Sequence, residues 1–238
     1  GAMFSQLPVR RIEEDPLLPA PRDSWPFVLP PVRQLLHEGL DLGPVTVLTG
    51  ENGSGKSTLT EAIAMAFGLN AEGGSTGAQH RTNSTESGLH EHLRLVRGAG
   101  ASKKGFFLRA ESMHSFFTYL QNLGPGAEYF HEQSHGESFL DLMDQRSRVK
   151  GLWVLDEPEA ALSLSGCLGL LSRLQGLVER GSQLVLSTHS PILAAFPGAT
   201  LLEVGPWGLR TGSYDELDLV RGWRSFLDAP ERFLRHLD

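Results

Sequence analysis

Residues 50–58, "GENGSGKST", constrain this chain more than any other stretch. They follow "VTVLTG" (45–50), a compact β-branched run ending in Gly that reads as a buried strand. They lead into "STLTEAIAMAFGL" (57–69), where apolar residues at 59, 62, 63, 66 and 67 keep helical spacing up to a stop at Gly68. A strand, a turn with the pattern G-x-x-x-x-G-K-[ST] and a helix make the context that a phosphate loop requires. The glycines let the backbone curl so that successive N–H groups point inward. The helix start adds partial positive charge. Glu51, Asn52, Gly53, Ser54, Gly55, Lys56, Ser57 and Thr58 are therefore the expected nucleotide contacts. Lys56 is expected to reach the β- and γ-phosphates, and the Ser57 hydroxyl to ligate Mg2+.

Two further strand ends carry polar chemistry. "GLWVLDEPEAAL" (151–162) is an apolar strand ending in adjacent carboxylates, Asp156 and Glu157. A buried strand tolerates such charges only at its mouth. Asp156 is expected to hold Mg2+ through its water shell, and Glu157 to orient or deprotonate an attacking water. "SQLVLSTHS" (182–190) is another buried strand. Its His189 lies 33 residues after Asp156, at the same sheet edge, where an imidazole can hydrogen-bond a γ-phosphate. The competing structural readings are a capped turn for Asp-Glu-Pro and a satisfied core or surface histidine for His189.

The remaining elements alternate. Residues 4–43 are rich in proline and aromatics and read as extended segments and turns, with one short helix near 31–38. Residues 70–104 read as loop with a short helix at 88–97. "GFFLRA" (105–110) reads as a strand, and helices are expected at 111–123, 137–149 and 163–181. Ser190-Pro191 is a good helix start. "ATLLEV" and "GLRTGS" are two more strands, and 215–237 a helical tail. Strands alternating with helices imply an α/β fold with a largely parallel sheet. The length of 238 residues suggests one domain over 4–238, behind a three-residue tag remnant, with a small inserted lobe at about 70–150.

Composition narrows the function classes. No apolar run approaches a membrane span, so direct membrane insertion is not expected. The single cysteine, Cys167, excludes an intramolecular disulfide framework and fits a reducing cytosol. The net charge of −7 argues against a chain that coats nucleic acid indiscriminately. Yet residues 80–110 carry Arg81, Arg94, Arg97, Lys103, Lys104 and Arg109 against only Glu86 and Glu91. That segment reads either as a solvated loop or as a surface that touches phosphate.

The phosphate loop, the acidic strand and the histidine strand together resemble the ATP-binding-cassette superfamily. The wording "GENGSGKST…RAES…HEQSHGESF…THSPIL" is similar to its soluble branch, the chromosome-maintenance and recombination-repair ATPases. Within that branch the likeness is to small stand-alone bacterial AAA-type ATPases. The resemblance implies a P-loop NTPase with a mainly parallel central sheet flanked by helices and a small helical and loop lobe. It implies ATP and Mg2+ as cofactors, and an ATP-dependent homodimer. The family places a serine–glycine signature before its acidic strand. Here the matching stretch is Gln133, Ser134, His135, Gly136 and Glu137, with eighteen residues between Glu137 and Asp156. By resemblance, Ser134 and Gly136, with Glu137 beside them, contact the γ-phosphate held by a second subunit. A helix N-cap with a capping-box look is the competing reading.

This chain departs from the family pattern in places. His135 replaces a usual Gly, Glu137 a usual Gln, and Ser163 stands where the loop usually ends in Asp. The family's glutamine loop is not evident, and Glu111 of "FFLRAES" is offered in its place as a further Mg2+ candidate. Trp25 and Phe27 are candidates for stacking on adenine, with core packing as the alternative. Only 76 residues separate Ser57 from Ser134, too few for a coiled-coil insertion. The leading expectation is an ATPase that dimerises around Mg·ATP, hydrolyses it and opens. The alternatives are the nucleotide-binding subunit of a transporter and an ATP-gated module for nucleic acid.

Overall fold

The computed structural model describes residues 6–72, 87–109 and 135–237. In chain order the elements are β1 (Arg11–Glu14), α1 (Pro30–Glu38), β2 (Leu40–Asp41), β3 (Val45–Thr49), α2 (Lys56–Phe67), β4 (Ala71–Glu72), β5 (Leu93–Val96) and β6 (Gly105–Arg109). There follow α3 (His135–Arg146), β7 (Leu152–Asp156), α4 (Leu164–Glu179), β8 (Gln183–Ser187), β9 (Thr200–Gly205), β10 (Gly208–Thr211), α5 (Asp218–Asp228) and α6 (Pro230–Leu234).

Among the described residues seven strands form the central sheet in the order β10-β9-β3-β8-β7-β6-β4. Every neighbouring pair is parallel except the β9–β10 hairpin at one edge. β3, β7 and β8 are buried at all five positions, as strands covered on both faces must be. Their side chains alternate between two cores. Leu48, Val154 and Val185 face α1 and α2. Val47, Trp153, Leu155, Leu184 and Leu186 face α3 and α4. Cys167 is buried in that second core, as expected of an apolar filler.

Local chemistry sets the ends of the helices. α2 ends at Gly68, in the left-handed region at φ 100°, where its N–H reaches the carbonyls of Ala64 and Met65. α4 starts at Ser163, whose hydroxyl accepts from Gly166 N–H at 3.1 Å.

Several expectations are corrected. Residues 89–92 form a 3-10 turn, and 93–96, expected as helix, are strand β5. It pairs antiparallel with β1, which pairs in turn with β2, making a second three-stranded sheet. Arg94 stands between Leu93 and Leu95, two leucines on the opposite face of the strand, and reaches across to Glu13 at 3.0 Å. After Ser190-Pro191 only a 3-10 turn at Leu193–Ala195 forms. Ser190 does act as a cap, accepting from Ile192 N–H and Leu193 N–H. Pro197, however, bars Phe196 from helical dihedrals, so no helix can grow. The tail is broken the same way at Ala229, extended before Pro230. The expected helix at 111–123 lies outside the described residues, as does much of the segment 70–150 expected to form a lobe. Among the described residues no helix is long and apolar enough to cross a membrane.

Gln183, fully buried at the start of β8, ties the N-terminal segment to the sheet. Its side-chain oxygen accepts from Val9 N–H at 2.9 Å, and its amide donates to the carbonyls of Val9 and Gly43 at 2.7 and 3.0 Å. Gln183→Leu strands these backbone groups and should cost about 1–3 kcal/mol. A urea midpoint equal to that of the parent would refute the tie.

Candidate functional site

β3 delivers the chain into the glycine loop, and the loop must turn sharply to start α2. Gly50 lies so close to β9 that a Cβ there would sit 2.5 Å from the Val204 carbonyl oxygen. Gly55, at φ 107°, occupies the N-cap of α2, and a Cβ would meet Pro31 at 3.0 Å. Among the described residues no side chain caps this helix start. The Ser54 hydroxyl oxygen is buried with no hydrogen-bond partner among the described residues. Uncapped N–H groups and an orphaned hydroxyl are what an anion would satisfy. Glu51, Asn52 and Gly53 are exposed at the loop's tip, and Thr58 lies half-buried in the first turn of α2.

The Lys56 ammonium points back under the loop, with its side chain 2% exposed. It donates to Glu157 Oε1 at 2.7 Å and lies 2.9 Å from His189 Nε2. That nitrogen is also 2.8 Å from Glu157 Oε1 and 3.0 Å from Asn52 Oδ1. A proton on Nε2 serves Glu157 or Asn52; without it the nitrogen accepts from Lys56. Burial opposes the charge of Glu157, but the hydrogen bond and charge of Lys56, with His189 adding, outweigh it. The carboxyl is held below its ordinary range. Glu157 is also the one non-glycine residue at positive φ among those described, at 52°. This conformation, pinned by Glu157 N–H donating to the Ser187 carbonyl at 2.9 Å, aims its side chain at the loop.

Beside this cluster sits a second. Ser57 Oγ donates to Asp156 Oδ1 at 3.1 Å, and Ser187 Oγ donates to the same oxygen at 2.6 Å. The other Asp156 oxygen lies 3.3 Å from Arg109 Nε, and Arg109 Nη1 is 3.0 Å from Glu61 Oε2 on α2. The sequence counted Arg109 only as part of a basic segment and did not single out Glu61. The signal was register: parallel pairing places Arg109 directly opposite Asp156. Four other cations of that segment can be placed. Arg94 pairs with Glu13, and Arg97 covers the Phe67 ring at 4.2 Å, while Lys103 and Lys104 lie exposed on the irregular stretch before β6.

Other candidates lie elsewhere. Phe27 is buried edge-on against His92, with ring centroids 5.4 Å apart, so core packing claims it. Trp25 is half-exposed. Neither lines the groove of about 950 Å³ that runs from the glycine loop past Trp207 to Trp223 and Phe226. Gly136 and Glu137 fall in the first turn of α3. Ser134 and Glu111 lie outside the described residues.

A mainly parallel sheet whose strand β3 runs through G-x-x-x-x-G-K-S into a helix, with Asp156 on a nearby parallel strand, is the P-loop NTPase fold. A family profile described as an AAA domain matches residues 32–109, from α1 through β6. The chain is 29% identical over 188 residues to the cytochrome c biogenesis ATP-binding export protein CcmA of Rhizobium meliloti, covering 69% of this chain and 86% of that one. It is 27% identical to the protein of the same name in Rhizobium johnstonii over 172 residues, 64% of this chain and 79% of that one. Among solved structures, cbiO1 from Clostridium perfringens, part of the ABC transporter complex cbiONQ, aligns over 81% of this chain and 88% of that one. The TM-score is 0.41 at 12% identity. The fold assignment rests on this chain's own sheet order and loop.

The Glu157 carboxyl titrates lower in the folded chain than in the unfolded one. Its pairing therefore stabilises fully above the ordinary glutamate range, about pH 4.3, and the effect is lost as pH falls through the folded value. Lys56→Met should lower stability relative to the parent more at pH 7 than at pH 3. Equal losses in urea midpoint at both would show that the pair does not act.

Proposed function

We propose that this chain binds Mg·ATP at the glycine loop and hydrolyses it to ADP and phosphate. The observation that carries the reading is the convergence of Lys56, Glu157, His189 and Asn52 at the loop's mouth, next to Ser57 and Asp156. The residues suit the cofactors. One hydroxyl and one carboxylate oxygen 3.1 Å apart make a poor cage for a bare cation. They suit Mg2+ that keeps waters and phosphate oxygens as its other ligands. Bound there, Mg2+ would neutralise charge on the phosphates.

The chain's own groups then divide the work. The uncapped start of α2 and the Ser54 hydroxyl hold phosphate oxygens. Lys56 turns its ammonium from Glu157 to the β- and γ-phosphates, which frees that carboxylate. Glu157 accepts the proton released as water attacks the γ-phosphorus and the bond to the β–γ bridging oxygen breaks. His189 and Asn52 stand where they can hold the γ-phosphate.

Similarity to ATP-binding proteins supports an ABC-type ATPase. We place it in the soluble branch, in the cytoplasm, as one ATPase domain with an inserted lobe. The altered signature around His135 and Glu137 supports that branch. Ser134, Gly136 and Glu137 then act on the nucleotide of a second copy, so ATP drives dimerisation. A second reading, a transporter subunit docked on separate membrane proteins, is favoured by the names of the relatives. Co-purification with an integral membrane protein separates the two. A nucleic-acid role is less supported, because Arg94, Arg97 and Arg109 are engaged inside the chain.

Lys56→Ala should weaken ATP binding about tenfold to a hundredfold by calorimetry. Glu157→Gln should keep ATP binding, lose about 100-fold or more in turnover, and double its mass with Mg·ATP in light scattering. A variant that stays monomeric while saturated with ATP sinks the dimer. Unchanged ATP affinity in Lys56→Ala sinks the site.

A further inference from the structure

We propose that Glu159 is a positioning residue that sets His189 in place; the idea deepens the ATPase reading above and rests on it for its functional part. Glu159 sits two residues beyond Glu157, in the 3-10 turn Pro158–Ala161 that follows β7. Its carboxylate spans the gap to the end of β8. Oε1 accepts from the Thr188 hydroxyl at 2.7 Å, and Oε2 accepts from the backbone N–H of His189 at 2.7 Å. Both distances fall in the short range of charge-assisted hydrogen bonds.

The need for such a group follows from where the strand stops. β8 ends at Ser187, so the next backbone donors have left the regular pairing of the sheet. Thr188 N–H still reaches back to the Leu48 carbonyl at 3.0 Å. His189 N–H has no strand neighbour among the described residues, and a backbone donor at this half-buried position needs an acceptor. Glu159 supplies it and extends the hold. The Thr188 side chain, fully buried, donates to Glu159 and accepts from Ser190 N–H at 2.9 Å. Three consecutive residues are thus fixed from one carboxylate. A carboxylate suits the task because both groups facing it are donors. A glutamine would present its own donor to one of them.

The same turn therefore holds two acidic groups with separate duties. Glu157 faces the Lys56 ammonium, and Glu159 faces the backbone that carries His189. With this backbone fixed, the imidazole lies 2.9 Å from Lys56 and 3.0 Å from Asn52. Without it, the residue that is to meet a γ-phosphate is held only through its side chain, by Lys56, Glu157 and Asn52.

The test uses Glu159→Ala and the isosteric Glu159→Gln, each also in a His189→Ala background. In the parent background Glu159→Ala should lower kcat about tenfold or more. Affinity for ADP, which lacks the phosphate His189 would meet, should stay within about twofold, and Glu159→Gln should fall between. In the His189→Ala background the further loss from Glu159→Ala should shrink to about twofold or less, since both act through one imidazole. An equal loss in both backgrounds, or a matching loss of ADP affinity, overturns the proposal. Amide exchange measured by NMR tests the clamp even if the wild-type chain hydrolyses nothing. Exchange of the His189 N–H should quicken about tenfold in Glu159→Ala while the amides of β8 keep their rates. No quickening overturns the clamp; quickening without any wild-type turnover would instead overturn the ATPase reading alone.

Discussion

A lysine ammonium with only 2% of its side chain exposed needs an anion beside it, and the site is organised around that need. Removing such a charge from water costs several kcal/mol unless partners compensate. Lys56 finds them on two other strands: Glu157 just beyond β7 and His189 just beyond β8. Neither is near it in sequence. The pairing exists only because β3, β8 and β7 lie side by side in one register, with Leu48 and Asp156 both level with Ser187. A slip of one residue in any of the three would turn every side chain of that strand to the opposite core.

The acidic groups around the lysine are balanced one by one. Asp156 is held by the Ser57 and Ser187 hydroxyls and by Arg109, and Arg109 is held in turn by Glu61. Glu159 is satisfied by Thr188 and the His189 backbone. The Lys56–Glu157 contact differs from the rest. Under the proposed function an incoming phosphate competes for the same ammonium. In the proposed reaction this is an advantage, because the nucleotide that takes Lys56 also releases the base.

Much of this was legible in the chain because it depends on local pattern. "VTVLTGENGSGKSTL" carries its own strand, turn and helix start. "GLWVLDE" and "QLVLSTH" are apolar runs whose polar residues fall at the end, so their carboxylates and histidine had to emerge at a sheet edge. β5 was misread because its four residues are too short to separate strand from helix, and its partner β1 lies some eighty residues upstream. Arg109 escaped for a similar reason. A basic residue at a strand end looks like any other until the neighbouring strand puts a carboxylate opposite it.

The sequence by itself determined the phosphate loop, the buried strands and the identities of Lys56, Ser57, Asp156, Glu157 and His189 as one set. Those follow from residue type and spacing along a single stretch. The tertiary structure alone decided the order β3-β8-β7-β6, the pairing of Arg109 with Asp156 and Glu61, and the bond from Glu159 to the His189 backbone. The side-chain contacts join residues about 30 to 50 positions apart, and the pairing of β3 with β8 sets Val45 opposite Leu184. Such contacts are set by which strands lie next to one another, and the spacing within any single segment holds no record of that.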